Sequence, residues 1–262
     1  MSRDTVKSLD EHREYILGMC ETAYRFTFRR QLVCPELSML EILKRQALWV
    51  YLLGLNTFDY QQTGWFKEVA ALCGQQWAVE EEFVCAMLTA TKEFAESYAS
   101  NSYPATLQPP EGYNAGSLKY DSPLAELPRN HCNFHISNAI APKSILNETA
   151  YLINCFNTLL DKSEDEYHYD TLRTFTWLNS NPRWLFFFPD EWLNNLSKPN
   201  TEIHGDGGFW GQLSTARGTL NKRAADHILN SGKFQYPPRS SHCSYAAMRG
   251  HLLALEKIFG LK

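Results

Sequence analysis

The sequence holds eight histidines, and imidazole is the side chain that exchanges protons near neutral pH. One of them, His135, lies in residues 132–140 (CNFHISNAI), where polar and apolar types alternate as along a half-buried strand. On a strand His135, Ser137 and Ala139 share one face, and Phe134, Ile136 and Asn138 share the other. His135 and Ser137 can therefore line one pocket. As a general base His135 needs a proton donor within hydrogen-bond reach, whereas as a structural histidine it needs only hydrogen-bond partners. Both readings are open at this point. His131 stands four positions earlier, a metal-pair spacing on a helix but not on a strand.

His204-x-Asp206 puts an imidazole and a carboxylate on one side of an extended segment, as in non-haem iron sites with two histidines and one carboxylate. His227, His242 or His251 would complete such a site around iron or zinc, for an oxygenase or a hydrolase. Residues 203–208 (IHGDGG) are also glycine-rich, and Asp-Gly is a turn signal, so a solvated loop is the competing reading. The densest aromatic cluster, residues 177–192 (WLNSNPRWLFFFPDEW), interleaves its rings with Asn179, Asn181, Arg183, Asp190 and Glu191. That mixture suits either an apolar pocket with a few convergent polar groups or a core corner whose indole N–H groups need partners. Trp210, Gln212, Arg217 and Arg239 are further candidates, the arginines as anion clamps or as solvated surface residues. Cys132 and Cys243 can be nucleophiles only where something lowers their thiol pKa.

Taken in order, His135-Ile136-Ser137, a helix bearing Tyr151, Leu152, Cys155 and Phe156, then Phe175-Thr176-Trp177-Leu178-Asn179 and Phe209-Trp210-Gly211-Gln212-Leu213 form a series. The series resembles the C-terminal acyltransferase region of GNAT-superfamily proteins that carry a helical N-terminal part. Those relatives have a His-Ile-Pro strand, a helix, a Ser-Trp-Leu-Leu strand and a Phe-Gln strand in that order. Here Ser137 stands in place of the proline, Asn179 in place of a leucine, and Arg217-Gly218 is the nearest approach to a pyrophosphate loop. The resemblance covers about half the chain and implies acyl transfer from a thioester, such as an acyl-CoA, to an amine or hydroxyl acceptor. It implies His135 as general base, with Ser137 and Glu191 beside it. Asn138, Trp177, Asn179, Trp210 and Gln212 would contact the small-molecule substrate. Arg217, Gly218 and Arg239 would meet the donor's phosphates, helped by free N–H groups at a helix start.

The elements that must position these residues fall into two classes. Residues 9–32 carry Tyr15, Ile16, Met19, Tyr24 and Phe28 at helical spacing, and Cys34-Pro35 ends that run. Residues 35–55, 64–73 and 77–98 read as three further helices, which makes a bundle of residues 1–100. Pro104, Pro109, Pro110, Gly112, Gly116, Pro123 and Pro128 break up residues 101–130, read as a linker or lid. Strand and helix then alternate: strands at 132–140 and 170–179, a helix at 148–160 between them, a short helix opened by Pro182, a third strand within 209–220, and helices at 221–230 and 244–259. The expected class is α+β, an all-helical N-terminal bundle followed by a mixed α/β domain over 131–262 with a GNAT-like sheet layer.

Composition limits the partners. A chain of 262 residues can bury a sizeable core without a disulfide or metal staple. The net charge of -4 carries no basic block, so nucleic acid is not an expected partner. Seven scattered cysteines without C-x-x-C spacing fit free thiols in a reducing, cytoplasmic setting. Residues 1–13 lack the apolar segment of a secretory signal, and the longest apolar run, residues 47–55, is far short of the roughly 20 residues that span a bilayer, so no membrane partner is expected. A third reading is a non-catalytic binding or scaffold protein whose bundle supports an aromatic ligand pocket.

Overall fold

The structure, a computed structural model, describes residues 7–46, 48–49, 60–106, 112–200 and 207–261. In chain order its elements are α1 (Leu9–Val33), α2 (Met39–Arg45), α3 (Gly64–Cys73), α4 (Glu80–Thr106), β1 (Leu118–Tyr120), β2 (His131–Ile136), α5 (Thr149–Tyr167), β3 (Thr171–Thr176), α6 (Pro182–Leu185), α7 (Asp190–Asn194), α8 (Lys222–Ser231), β4 (Arg239–Ser244) and α9 (Tyr245–Ile258). The fold is mixed α+β, helical at its N-terminal end, with a four-stranded mixed sheet in the C-terminal half. Contacts divide the chain into two compact units, Met1–Leu107 with Thr201–Gln235, and Gln108–Asn200 with Tyr236–Lys262. These limits differ from the expected boundaries at 100 and 130, because α8 packs with the N-terminal helices and returns residues 201–235 to their core.

In the first unit the helix starts are written locally. Ser8 and Ser38 each form a capping box, with Glu11 and Glu41, and the Thr63 hydroxyl accepts from the Phe66 N–H. Glu80, Glu81 and Glu82 occupy the first turn of α4, where carboxylates complement the helix dipole. The core is Ile16, Met19, Ala23 and Tyr24 of α1 against Phe83, Val84 and Met87 of α4, with Leu213, Ala225 and Ile228 joining it. Trp65 Nε1 and the Tyr24 hydroxyl both reach Thr91 Oγ1, so the buried polar atoms there are paired. Arg25 and Arg29 of α1 clasp Glu80 and Glu81 of α4.

Helix α4 runs through Pro104 to Thr106, past the expected break at 101, although the proline gives up its own N–H bond to the preceding turn. The expected third strand at 209–220 is instead a 3-10 turn over Gly207–Leu213, followed by a tight loop closed by a Ser214–Leu220 bridge. Most of the expected helix at 35–55 beyond Gln46 lies outside the described residues.

In the second unit the strands lie in the order β1-β2-β3-β4. Strands β2 and β3 are parallel and joined through α5, while both outer pairs are antiparallel. Strand β1 falls inside the stretch read as a linker, and β4 (RSSHCS) carries no strand-forming composition to announce it. Leu118, Cys132, Phe134, Leu172 and Cys243 join Phe156, Leu159 and Leu160 of α5 and Met248 and Leu252 of α9 in one core. The aromatic segment completes it: Trp184, Phe187, Phe188 and Trp192 are buried, and Phe188 stacks on Trp192 with centroids 4.2 Å apart. Of the two readings of residues 177–192, the structure gives the core corner.

Candidate functional site

Strand alternation sends Cys132, Phe134, Leu172, Thr174, Ser241 and Cys243 into the core of the second unit. The opposite face is left with His131, Asn133 and His135 from β2, Arg173 and Phe175 from β3, and Ser240 and His242 from β4. Phe175 is 44 % exposed, an apolar ring among polar neighbours.

At one end of this face His135 Nε2 lies 2.9 and 2.8 Å from the two carboxylate oxygens of Asp121. Asp121 is braced on every side: Asn133 Nδ2 donates to its carboxylate at 2.7 Å, its backbone N–H donates to the Asn133 carbonyl, and the Tyr169 hydroxyl donates to its own carbonyl. An ionised carboxylate can only accept, so in the neutral ring the pair fixes the proton on Nε2 and leaves the lone pair on Nδ1. The side chain of His135 is 47 % exposed, so this second nitrogen can be reached from solvent.

Farther along, His131 and His242 stack with centroids 6.3 Å apart, and Arg173 is the register partner of both Asn133 and His242. Among the described residues the Arg173 side chain has no hydrogen bond or ion pair, and His131 Nδ1 is buried without a partner. Burial, and then the positive charge of Arg173 and His242, lowers the pKa of His131; Asp170 opposes this. The Asp170 carboxylate is itself occupied, accepting from Asn130 Nδ2 at 2.8 Å and Thr171 Oγ1 at 2.7 Å.

The other residues singled out in the sequence have structural employment. Ser137, just past the end of β2, donates its backbone N–H to the Ser117 carbonyl. Asn138 donates to the Lys143 carbonyl. Glu191 accepts from both the backbone N–H and the hydroxyl of Ser244, each at 2.9 Å, and so ties α7 to the β4–α9 junction. Asn179 is fully buried, donating to the Thr174 and Arg239 carbonyls and accepting from Trp184 Nε1. Trp177 stacks on Tyr236. Arg239 gives its guanidinium to the Ser197 and Leu196 carbonyls.

In the first unit Trp210 is a core residue, set edge-on to Phe26 and Phe234, and Gln212 is buried as well. Arg217 pairs with Glu11 at 2.8 Å. Gly218, at φ 79°, makes the turn before α8, its carbonyl accepts from Lys7 Nζ, and the first turn of α8 is capped by Asn221. His204 and Asp206 lie outside the described residues, among which no group of three His, Cys, Asp or Glu side chains can hold a metal. Burial pushes the Cys132 thiol up to about 11 and the Cys243 thiol up to about 12, away from the thiolate a nucleophile needs.

Comparison with protein-family models, characterised proteins and solved structures finds no match to the chain. Among the described residues no helix is long and apolar enough to cross a membrane.

Sequence reasoning found His135 and its strand but not its partner, because Asp121 sits in the Pro/Gly-rich stretch where no periodicity marks a face. Arg173 had a signal that went unused: in DTLRTFTWLN it alternates with Leu172 and Thr174, so a strand there must carry the charge on its uncovered face. The first unit has a groove of about 800 Å³ lined by Tyr15, Leu17, Val84, Leu88 and Leu220, with Glu14, Glu21 and Lys92 also on its wall.

Proposed function

We propose that the second unit is a group-transfer enzyme of the acyl-transfer type, working on the uncovered face of its sheet. The observation that carries this reading is the His135–Asp121 pair. Asp121 holds the imidazole in one tautomer and steadies the imidazolium that forms when Nδ1 takes a proton. In the reaction an amine or hydroxyl acceptor attacks the carbonyl of a thioester. The acceptor's proton passes to His135 Nδ1, the carbon–sulfur bond breaks, and the leaving thiolate takes that proton from the imidazolium.

The residues assigned to a nucleotide-bearing donor do not fit that group. Arg217 is paired with Glu11, Arg239 is spent on backbone carbonyls, and Asn221 already caps α8. The donor that suits this face is therefore a small thioester without a nucleotide. Glu191 is engaged by Ser244 and the Ser137 N–H by the Ser117 carbonyl, and the reading gives neither residue a part in the proton transfer.

Thiol release from small acyl thioesters in the presence of an amine panel tests the reading. His135→Gln and Asp121→Asn are expected to lower kcat by roughly 100-fold or more, the usual weight of a positioned general base. Equal rates for the wild type and His135→Gln would overturn it.

A further inference from the structure

We propose that Arg173, His131 and His242 form an oxyanion site on the uncovered sheet face, built for a phosphate-bearing small molecule. This deepens the reading above by naming a ligand class for the same face, but it does not depend on His135 doing chemistry.

Three cationic or potentially cationic groups stand on three neighbouring strands, and register brings them together: Arg173 pairs with His242 across β3–β4, and the His131 ring stacks on the His242 ring. Like charges gathered in this way repel one another unless an anion lies among them. No carboxylate of the described residues fills that place. Asp170 is held by Asn130 and Thr171, Glu191 by Ser244, and Asp121 by Asn133 and His135. Lys119, from β1, stands over the Tyr113 ring on the His135 side of the face and adds positive charge rather than removing it.

The arginine is the telling member. Arg239 is held by the Ser197 and Leu196 carbonyls and Arg217 by Glu11, whereas the guanidinium of Arg173 has five N–H donors and no partner among the described residues. His131 Nδ1 is likewise buried and unpaired, a donor once the ring is protonated. A planar carboxylate would be satisfied by the guanidinium fork alone. A tetrahedral dianion has oxygens left over for two flanking imidazoles, and its charge favours their protonated forms.

Arg173 pairs with Asn133, which is two residues from His135, a step of roughly 7 Å along the strand. A ligand anchored by its phosphate at Arg173 can thus present an amine or hydroxyl to His135 only if it is of the size of a phosphorylated sugar or amino alcohol, with the nucleophile at the far end.

The test is titration of the full-length protein with inorganic phosphate, sulfate and acetate, read from the imidazole resonances of His131 and His242. Phosphate and sulfate are expected to shift both sets saturably at millimolar concentration, and acetate to bind roughly tenfold more weakly or worse. Sulfate stays a dianion throughout, so its affinity should rise as pH falls and the His131 ring, whose pKa is lowered in the empty site, takes up a proton.

Arg173→Gln is expected to weaken phosphate by at least roughly tenfold and, without any ligand, to move the His131 titration upward, since a repelling charge has gone. His242→Gln should weaken it too, and His135→Gln should leave it unchanged. No saturable shift, equal binding by Arg173→Gln and His242→Gln, or acetate as tight as phosphate would each overturn the site. Phosphate binding without His135-dependent transfer keeps this site and removes the transfer reading; transfer without phosphate binding does the reverse.

Discussion

His12 is a buried imidazole on α1, with Nε2 3.0 Å from Ser102 Oγ and Nδ1 unpaired among the described residues. Burial, aided by the ammonium of Lys7, lowers its pKa from 6.5 to about 4. Between those values the unfolded chain carries a proton there that the folded chain refuses. His12 should therefore leave stability untouched above pH 6.5, erode it as pH falls from 6.5, and add no further loss below about 4. Melting temperature followed across that window should slope downward toward acid in the wild type and less steeply in His12→Gln; parallel slopes would refute the assignment. The same residue scale shows what the sequence could and could not announce. His135 was legible because alternation marks a strand face. Asp121 was not, because the bond that joins it to His135 depends on a three-residue strand, β1, too short to leave a pattern.

Helices α1 and α4 were legible as elements, since each has an apolar stripe at 3.6-residue spacing and α1 opens on a serine capping box. Their mutual alignment rests on Glu80, which accepts from Arg29 at 2.9 Å and from Arg25 at 3.1 Å. Burial alone would raise this carboxyl, but the two arginines outweigh it and hold it below the ordinary range. Glu80→Gln should cost about 1 kcal/mol at neutral pH, and the cost should shrink as acid protonates the native carboxylate, which denaturant melts at two pH values would show. Strand β4 and the 209–220 segment were illegible for opposite reasons. Arg239–Ser244 is a strand by virtue of six register pairs with β3, against its own serine-rich composition. Residues 209–213 look strand-like but take a 3-10 turn that delivers Trp210 and Leu213 to a helical core.

At the scale of the whole molecule, the α+β class was legible in the change of rhythm after residue 130, but the grouping into units was not. Nothing in the local pattern of residues 222–231 says that this helix belongs with α1, where Arg29 reaches the Leu229 carbonyl across 200 positions of sequence. A fragment ending at residue 107 should consequently melt with little cooperativity, because it lacks Trp210, Leu213, Ala225 and Ile228 from its core. Calorimetry giving a sharp transition for that fragment would contradict this. The interleaved layout also imposes a schedule on biosynthesis. At ribosomal speeds of roughly 5–20 residues per second, the N-terminal helices wait several seconds with part of their apolar surface bare until residue 235 has been made. A nascent chain in that interval is a natural client for a holdase chaperone.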